Sequence, residues 1–223
     1  MATQKELHGF LRQHRLAWQF AWKALDDYLL ARLGLLNVLW SGFEMATQAC
    51  EKLLKAYILF RDNSISGNAE EVRKAVSRRS KASGRRTELG HDVEACLSLA
   101  TDAGFPRSAE IESRLARINS YYSLRYPDSG GPSGKSTREI LDVDEVIFEA
   151  WEAFRNINED YYFTCGIMEP VYSLSVRNQG DPIDPIVKYR YAAMTNGNRA
   201  FEVRKGDIEE GIRSCLRTWY PSR

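Results

Sequence analysis

The stretch from Ser120 to Asp128, SYYSLRYPD, places Tyr122 three residues before Arg125, with Tyr126 adjacent. Two phenol hydroxyls and a guanidinium therefore gather at one helix end. Arg125 follows the core-facing positions Ile118 and Tyr122, so its guanidinium is partly desolvated and needs a carboxylate or a phosphate, either of which it can hold in bidentate geometry. Glu51, on an earlier helix, or another carboxylate of the bundle is the internal candidate, and a bound phosphate is the functional one; spacing alone leaves both open. A second concentration of charge lies at residues 72–87, where Arg73, Lys74, Arg78, Arg79, Lys81, Arg85 and Arg86 occur without an acidic residue. On a continuing helix Lys74, Arg78 and Lys81 share a face. Such a cluster either binds phosphates with a strong salt dependence or is a solvated loop.

A third signal is a decoy. GGPSGKST resembles the end of a phosphate-binding loop, with Gly134, Lys135 and Ser136 in place. Ser129 stands where the first glycine belongs, Gly130 and Gly131 are out of register, and Pro132 removes an N–H donor from the cradle. A helix end precedes the motif, where a buried strand is required. Residues 128–141 therefore read as a flexible linker.

The elements that must hold these residues are mostly helical. Apolar residues recur at helical spacing from Leu16 to Leu33, and Gly34 ends or kinks that helix. Leu36, Leu39, Phe43, Ala46, Cys50, Leu53, Leu54 and Tyr57 then mark one face of the clearest helix in the chain, with Gln48, Glu51, Lys52 and Lys55 opposite. Asn68 and Glu71 form a candidate capping box, as do Asp142 with Glu145 and Asp207 with Glu210. Pro106 opens a helix that Pro127 closes. Past Gly166 the period changes to two in VYSLSV and VKYRY, and TNGN is an Asn-Gly turn suited to a hairpin that returns through Phe201 and Val203. The expected architecture is mainly α: an up-and-down helical bundle over residues 1–167, with a small α+β appendage of hairpin plus helix over 168–223 packed on it.

Composition narrows the function classes. The 223 residues carry a net charge of +1, so any basic surface is local rather than global. MATQKELHGFLRQHRL has no apolar signal core, and the most apolar stretch, Leu29–Trp40, is interrupted by Arg32 and Asn37 and is too short to span a bilayer. No membrane association is expected. Cys50, Cys96, Cys165 and Cys215 form no C-x-x-C pair and read as free thiols of a reduced, cytoplasmic protein. With three histidines and no Cys/His cluster, neither a metal site nor any other cofactor is expected.

ATQACEKLLKAYILF, LGHDVEACL and INSYYSLRYPD, in that order, resemble the HEPN domain family. Glu51, Lys52 and Lys55 match its first block. His91 and Asp92 match the second, with Val93 in place of the usual leucine. Arg125, Tyr126 and Pro127 match the third, and Tyr122 aligns approximately. The resemblance covers about residues 16–165 and leaves the appendage unexplained. It implies a helical bundle, often a homodimer, that binds RNA or a nucleotide, and it raises an antitoxin or phage-defence protein as a partner. The residues expected to bind are Lys52, Lys55, Arg78, Lys81, Arg85, Tyr122, Arg125 and Tyr126, through phosphate neutralisation and aromatic stacking. Catalytic members of the family carry R-x4–6-H on a late helix, a division of labour in which imidazole moves protons and guanidinium stabilises the phosphorane. Arg85 or Arg86 with His91 has that spacing, but before the HDV helix rather than on the late one, which has no histidine. Two rival readings stand beside binding: a metal-independent ribonuclease using Arg85 or Arg86 with His91, and a non-catalytic protein-interaction bundle.

Overall fold

The two longest apolar patterns fold against each other. In the computed structural model, which describes residues 3–62, 68–84, 92–120, 136–177 and 184–220, α2 (Arg15–Leu36) and α3 (Ser41–Arg61) form a long antiparallel hairpin. Gly34 does not end α2, which runs on to Leu36. It lets the helices touch: a Cβ on Gly34 would lie 2.7 Å from the Cα of Gly42, and one on Gly42 2.7 Å from the backbone nitrogen of Leu35. The hairpin is preceded by α1 (Gln4–Gln13), which Thr3 and Glu6 open as a capping box.

Helix α4 (Ala69–Ala82) packs on α5 (Val93–Asp102), and α5, α6 (Ala109–Ser120) and α7 (Ser136–Arg155) pack on the hairpin. Asn68 caps α4 by accepting the N–H of Glu70, and Asp92 caps α5 by accepting that of Ala95. Helix α7 begins before Asp142, so the capping box expected at Asp142 and Glu145 does not form, and residues 136–141 are helix rather than linker. Asp142 instead accepts two hydrogen bonds from Arg117 of α6, at 2.8 and 2.9 Å. The core at the far end of the hairpin is aromatic. Tyr57, Phe60, Trp151, Phe154 and Tyr161 pack ring on ring, and Trp151 Nε1 donates to the carbonyl of Tyr162 at 3.1 Å. Tyr161 belongs to α8 (Glu159–Thr164).

The C-terminal part overturns the hairpin expectation, for the described residues contain no strand. A 3-10 turn (Gly166–Met168) leads into α9 (Glu169–Arg177), which contains VYSLSV; VKYRY lies in α10 (Pro185–Thr195). Five alternating residues fit a strand, but Val187, Tyr191 and Met194 also fall on one helical face, and those are the residues that turn inward while Tyr189 is exposed. Asp184 accepts the N–H of Ile186, and Pro185 at the first helical position commits the segment to helix. TNGN is a helix-to-helix connection: Gly197 is left-handed, and Asn198 caps α11 (Arg199–Glu202) by accepting the N–H of Phe201. The expected return strand at Phe201 is that short helix. Last comes α12 (Lys205–Trp219), with Ile208, Ile212 and Cys215 buried. Its cap position is Arg204; Asp207 lies inside the first turn, bonded to Arg155 at 2.9 Å.

One buried network ties this part to the hairpin. Arg32 of α2, fully buried, donates to Asp144 of α7 at 2.5 Å and to the carbonyls of Ala193 and Asn196 at 2.9 and 2.7 Å. Tyr28 donates to the other oxygen of Asp144 at 2.7 Å and accepts from Asn198 at 2.8 Å. Burial pushes the Asp144 carboxyl up to about 6, against the opposing pull of Arg32 and Tyr28.

Candidate functional site

The residues of the first block share α3 but not a common environment. Lys52 reaches across to α2, where it pairs with Asp27, and its Nζ lies 3.4 Å from the Gln48 side chain. Burial raises the Asp27 carboxyl despite that lysine. Lys55 is 5% exposed and pairs with Glu51, one turn earlier, at 2.5 Å. Glu51, named from the sequence as a partner for Arg125, is thus engaged by Lys55.

The second block comes to α5, which packs on α3. Asp92 is buried; one oxygen caps α5 and the other accepts from the hydroxyl of Ser80 on α4 at 2.7 Å. Cys96, one turn along α5, is buried in the field of Lys55, Glu51 and Asp92, and burial raises its thiol well above the ordinary range. Two buried polar pairs, Lys55 with Glu51 on α3 and Ser80 of α4 with Asp92 of α5, thus lie within electrostatic reach of the Cys96 thiol. Helix α6 arrives at α3 too, where Thr47 donates to the carbonyl of Ile118 at 3.0 Å. His91, Arg85, Arg86, Tyr122, Arg125 and Tyr126, together with the GGPSGK stretch, lie outside the described residues.

The solvent face of α4 is different in kind. Its first turns satisfy themselves, Arg73 with Glu70 and Lys74 with Glu71. Its second half has no acidic residue. Arg79 crosses to Asp102 of α5, while Arg78 and Lys81 are exposed and have no ion pair among the described residues. Two adjoining hollows meet here at Leu99. One, of about 350 Å³, is lined by Ala75, Arg78, Arg79, Ala82 and Leu99; the other, of about 440 Å³, by Ile58, Arg61, Asp62, Leu99, Asp102 and Ala103. The result is an open groove with a leucine floor and three guanidiniums, those of Arg61, Arg78 and Arg79, at its edge. An apolar floor accepts the face of a base, and guanidiniums match phosphate oxygens in planar, bidentate geometry.

The structure thus brings Glu51, Lys55 and Asp92 within electrostatic reach of Cys96, turns Lys52 towards α2, and places Arg78 and Lys81 on an outer face. Arg61, at the end of the ILFRD segment, was not among the sequence candidates; its signal is only a basic residue in the last turn of α3. Among the described residues no group of three or more His, Cys, Asp or Glu side chains is placed to hold a metal ion, and no helix is long and apolar enough to cross a membrane. No family model matches the chain, and neither the curated proteins nor the solved structures yield a match.

Proposed function

We propose that this chain is a HEPN-like helical bundle that binds RNA or a nucleotide through the groove between α4 and α5. The observation that carries the reading is the second half of α4, where exposed Arg78 and Lys81 stand without ion-pair partners among the described residues beside Arg79 and Arg61. The order of the three sequence blocks supports it, as does the placing of Lys55, Glu51 and Asp92 within electrostatic reach of one residue, Cys96. Within this reading Lys55 and Glu51 hold the bundle together, and Arg78 and Lys81 meet the phosphates. Arg85 and Arg86 follow directly in sequence and extend the cationic run. The role in a toxin–antitoxin or defence system that the resemblance implies belongs to this proposal.

The test is fluorescence anisotropy with labelled single-stranded RNA and with ATP at low and moderate salt. Binding should weaken steeply with salt, and the double variant Arg78→Glu/Lys81→Glu should bind more than about tenfold less tightly, with a salt slope smaller by about 1.4. Absence of binding at low salt refutes the proposal; binding untouched by the double variant moves the site off α4. The ribonuclease rival is separated by incubating RNA with the protein in a chelator, where cleavage abolished in His91→Ala would establish it. The internal pairing of Lys52 with Asp27 and of Lys55 with Glu51 favours the third reading, a protein-interaction bundle, should no RNA or nucleotide bind.

A further inference from the structure

Helices α9, α10 and α12 leave an open hollow of about 300 Å³ between them, lined by Val171, Leu174, Ser175, Tyr191, Glu209 and Arg213. Val171 and Leu174, one turn apart on α9, form its apolar wall. The polar groups face them from the other two helices: the phenol of Tyr191 on α10, and the Glu209 carboxylate with the Arg213 guanidinium on α12. None of these helices lines the groove between α4 and α5, so the hollow stands apart from the phosphate-binding reading.

What marks the hollow is a pairing that is not made. Glu209 and Arg213 are one turn apart on α12 with the acid first, the order in which such side chains attract each other best. Yet Arg213 gives its Nε to the backbone carbonyl of Glu209 at 3.2 Å and its Nη2 to Glu210 at 3.3 Å, and Nη1 makes no bond among the described residues. The half-buried Glu209 carboxylate has neither an ion pair nor a hydrogen bond among the described residues, and the Tyr191 hydroxyl has no hydrogen bond there either. A carboxylate that has lost part of its hydration gains from a donor, and none of the chain's described residues supplies one. Ser175 donates to the carbonyl of Val171 at 2.9 Å and keeps its own oxygen free to accept.

The frame around these groups is fixed. Ile208, Ile212 and Cys215 bury one side of α12, and at Gly211 the helix presses so closely on Phe163 that a Cβ there would lie 2.2 Å from the ring. That contact sets the rotation of α12 and with it the direction of Glu209 and Arg213. The Tyr191 ring stands edge-on to Phe201, centroids 6.5 Å apart.

We infer that this hollow binds a free α-amino acid with an aliphatic side chain. The ammonium meets Glu209 and the Tyr191 oxygen, the carboxylate meets Nη1 of Arg213, and the side chain lies on Val171 and Leu174. Both ends are then held by charge-assisted hydrogen bonds, the strong kind. Opposite charges on one carbon suit two side chains that neighbour each other one turn apart on a helix. A simple amine would meet Arg213 with no anion to offer it, and a simple carboxylate or a phosphate would meet Glu209 in the same way. A peptide terminus carries only one of the two charges. The volume is at the small end for ligand pockets, which suits a molecule the size of leucine.

Isothermal titration calorimetry of the full chain with L-leucine, taken to about 10 mM, tests the proposal; a ligand of this size should bind with a Kd of roughly 1 mM or tighter. Glu209→Gln and Arg213→Gln should each keep the urea midpoint of the wild type, since only a surface ion pair is lost, and each should weaken leucine binding about tenfold or more. Isoamylamine and isocaproate keep the side chain but only one charge, and each should bind the wild type about tenfold or more weakly than leucine. Absence of binding by leucine overturns the proposal, as does binding that neither variant weakens. Isoamylamine binding as tightly as leucine would make the hollow an amine site and overturn it equally.

Discussion

Arg32 and Asp144 are a buried pair, and the cost of disturbing them depends on whether one or both are removed. Arg32→Met leaves a carboxylate buried without its partner and should lower stability by about 3–5 kcal/mol in urea denaturation. Arg32→Met/Asp144→Leu removes both charges and should recover much of that loss. The pair also has a pH signature. Burial raises the folded-state Asp144 carboxyl to about 6, above its ordinary 3.8. A raised carboxyl binds its proton more readily in the folded state, so its stabilising contribution is full below the ordinary value and is lost as pH rises through 6. The urea midpoint of the wild type should therefore rise relative to that of Asp144→Asn as pH falls from neutrality to 5. Arg32 was visible in the sequence only as an interruption of an apolar run. Its partners lie 112 and more residues away, and no periodicity links positions so far apart. Lys55 shows the same limit from the other side. It lies on the polar face of the helix pattern, yet it is buried, because α5 packs on α3 and Glu51 supplies its counter-charge.

Among the elements, the α2–α3 hairpin depends on two glycines that its periodicity does not explain. Gly34→Ala places a Cβ against backbone, which cannot rotate away, so it should destabilise the protein by about 1–3 kcal/mol despite the better helix propensity of alanine. Gly9→Ala, in α1 with nothing within 4 Å of the added Cβ, should instead stabilise by up to about 1 kcal/mol. Thermal unfolding of the two variants side by side separates packing from propensity. Helix existence was legible from apolar spacing for α2 and α3, and the cap at Asn68 was legible from residue type, whereas the cap at Asp92 was not singled out. Strand and helix were confused in α9 and α10, where short alternating runs satisfy both periods until burial chooses between them.

For the molecule as one body, the C-terminal helices belong to the same interior as the bundle. Residues 184–220 receive Arg32, Tyr28 and Phe148, the last against Phe201. Truncation after residue 167 should therefore expose Arg32 and the α7 apolar face, and the remaining chain should aggregate or lose cooperative urea unfolding. Thiol reactivity reports the same interior. Burial pushes the thiols of Cys50 and Cys215 up to about 12 and that of Cys165 to about 11. Native protein at neutral pH should react slowly with a disulfide reagent, with half-buried Cys165 first among the four, and rapidly only in urea. The groove of Arg61, Arg78 and Arg79 and the turn of Val38 and Trp40 lie at opposite ends of α3, about 30 Å apart along its axis.

By itself the sequence determined the helical class, the apolar faces, the cap at Asn68, the free thiols and the cationic run of α4, because each of these is a local property of residue type and spacing. Only the tertiary structure decided which charges are spent inside the protein. Lys52, Lys55 and Arg32 differ little as letters in a helix. They part because Asp27, Glu51 and Asp144 come within reach of them, and burial makes the pairings of Lys55 and Arg32 obligatory where Arg78 and Lys81 remain in water.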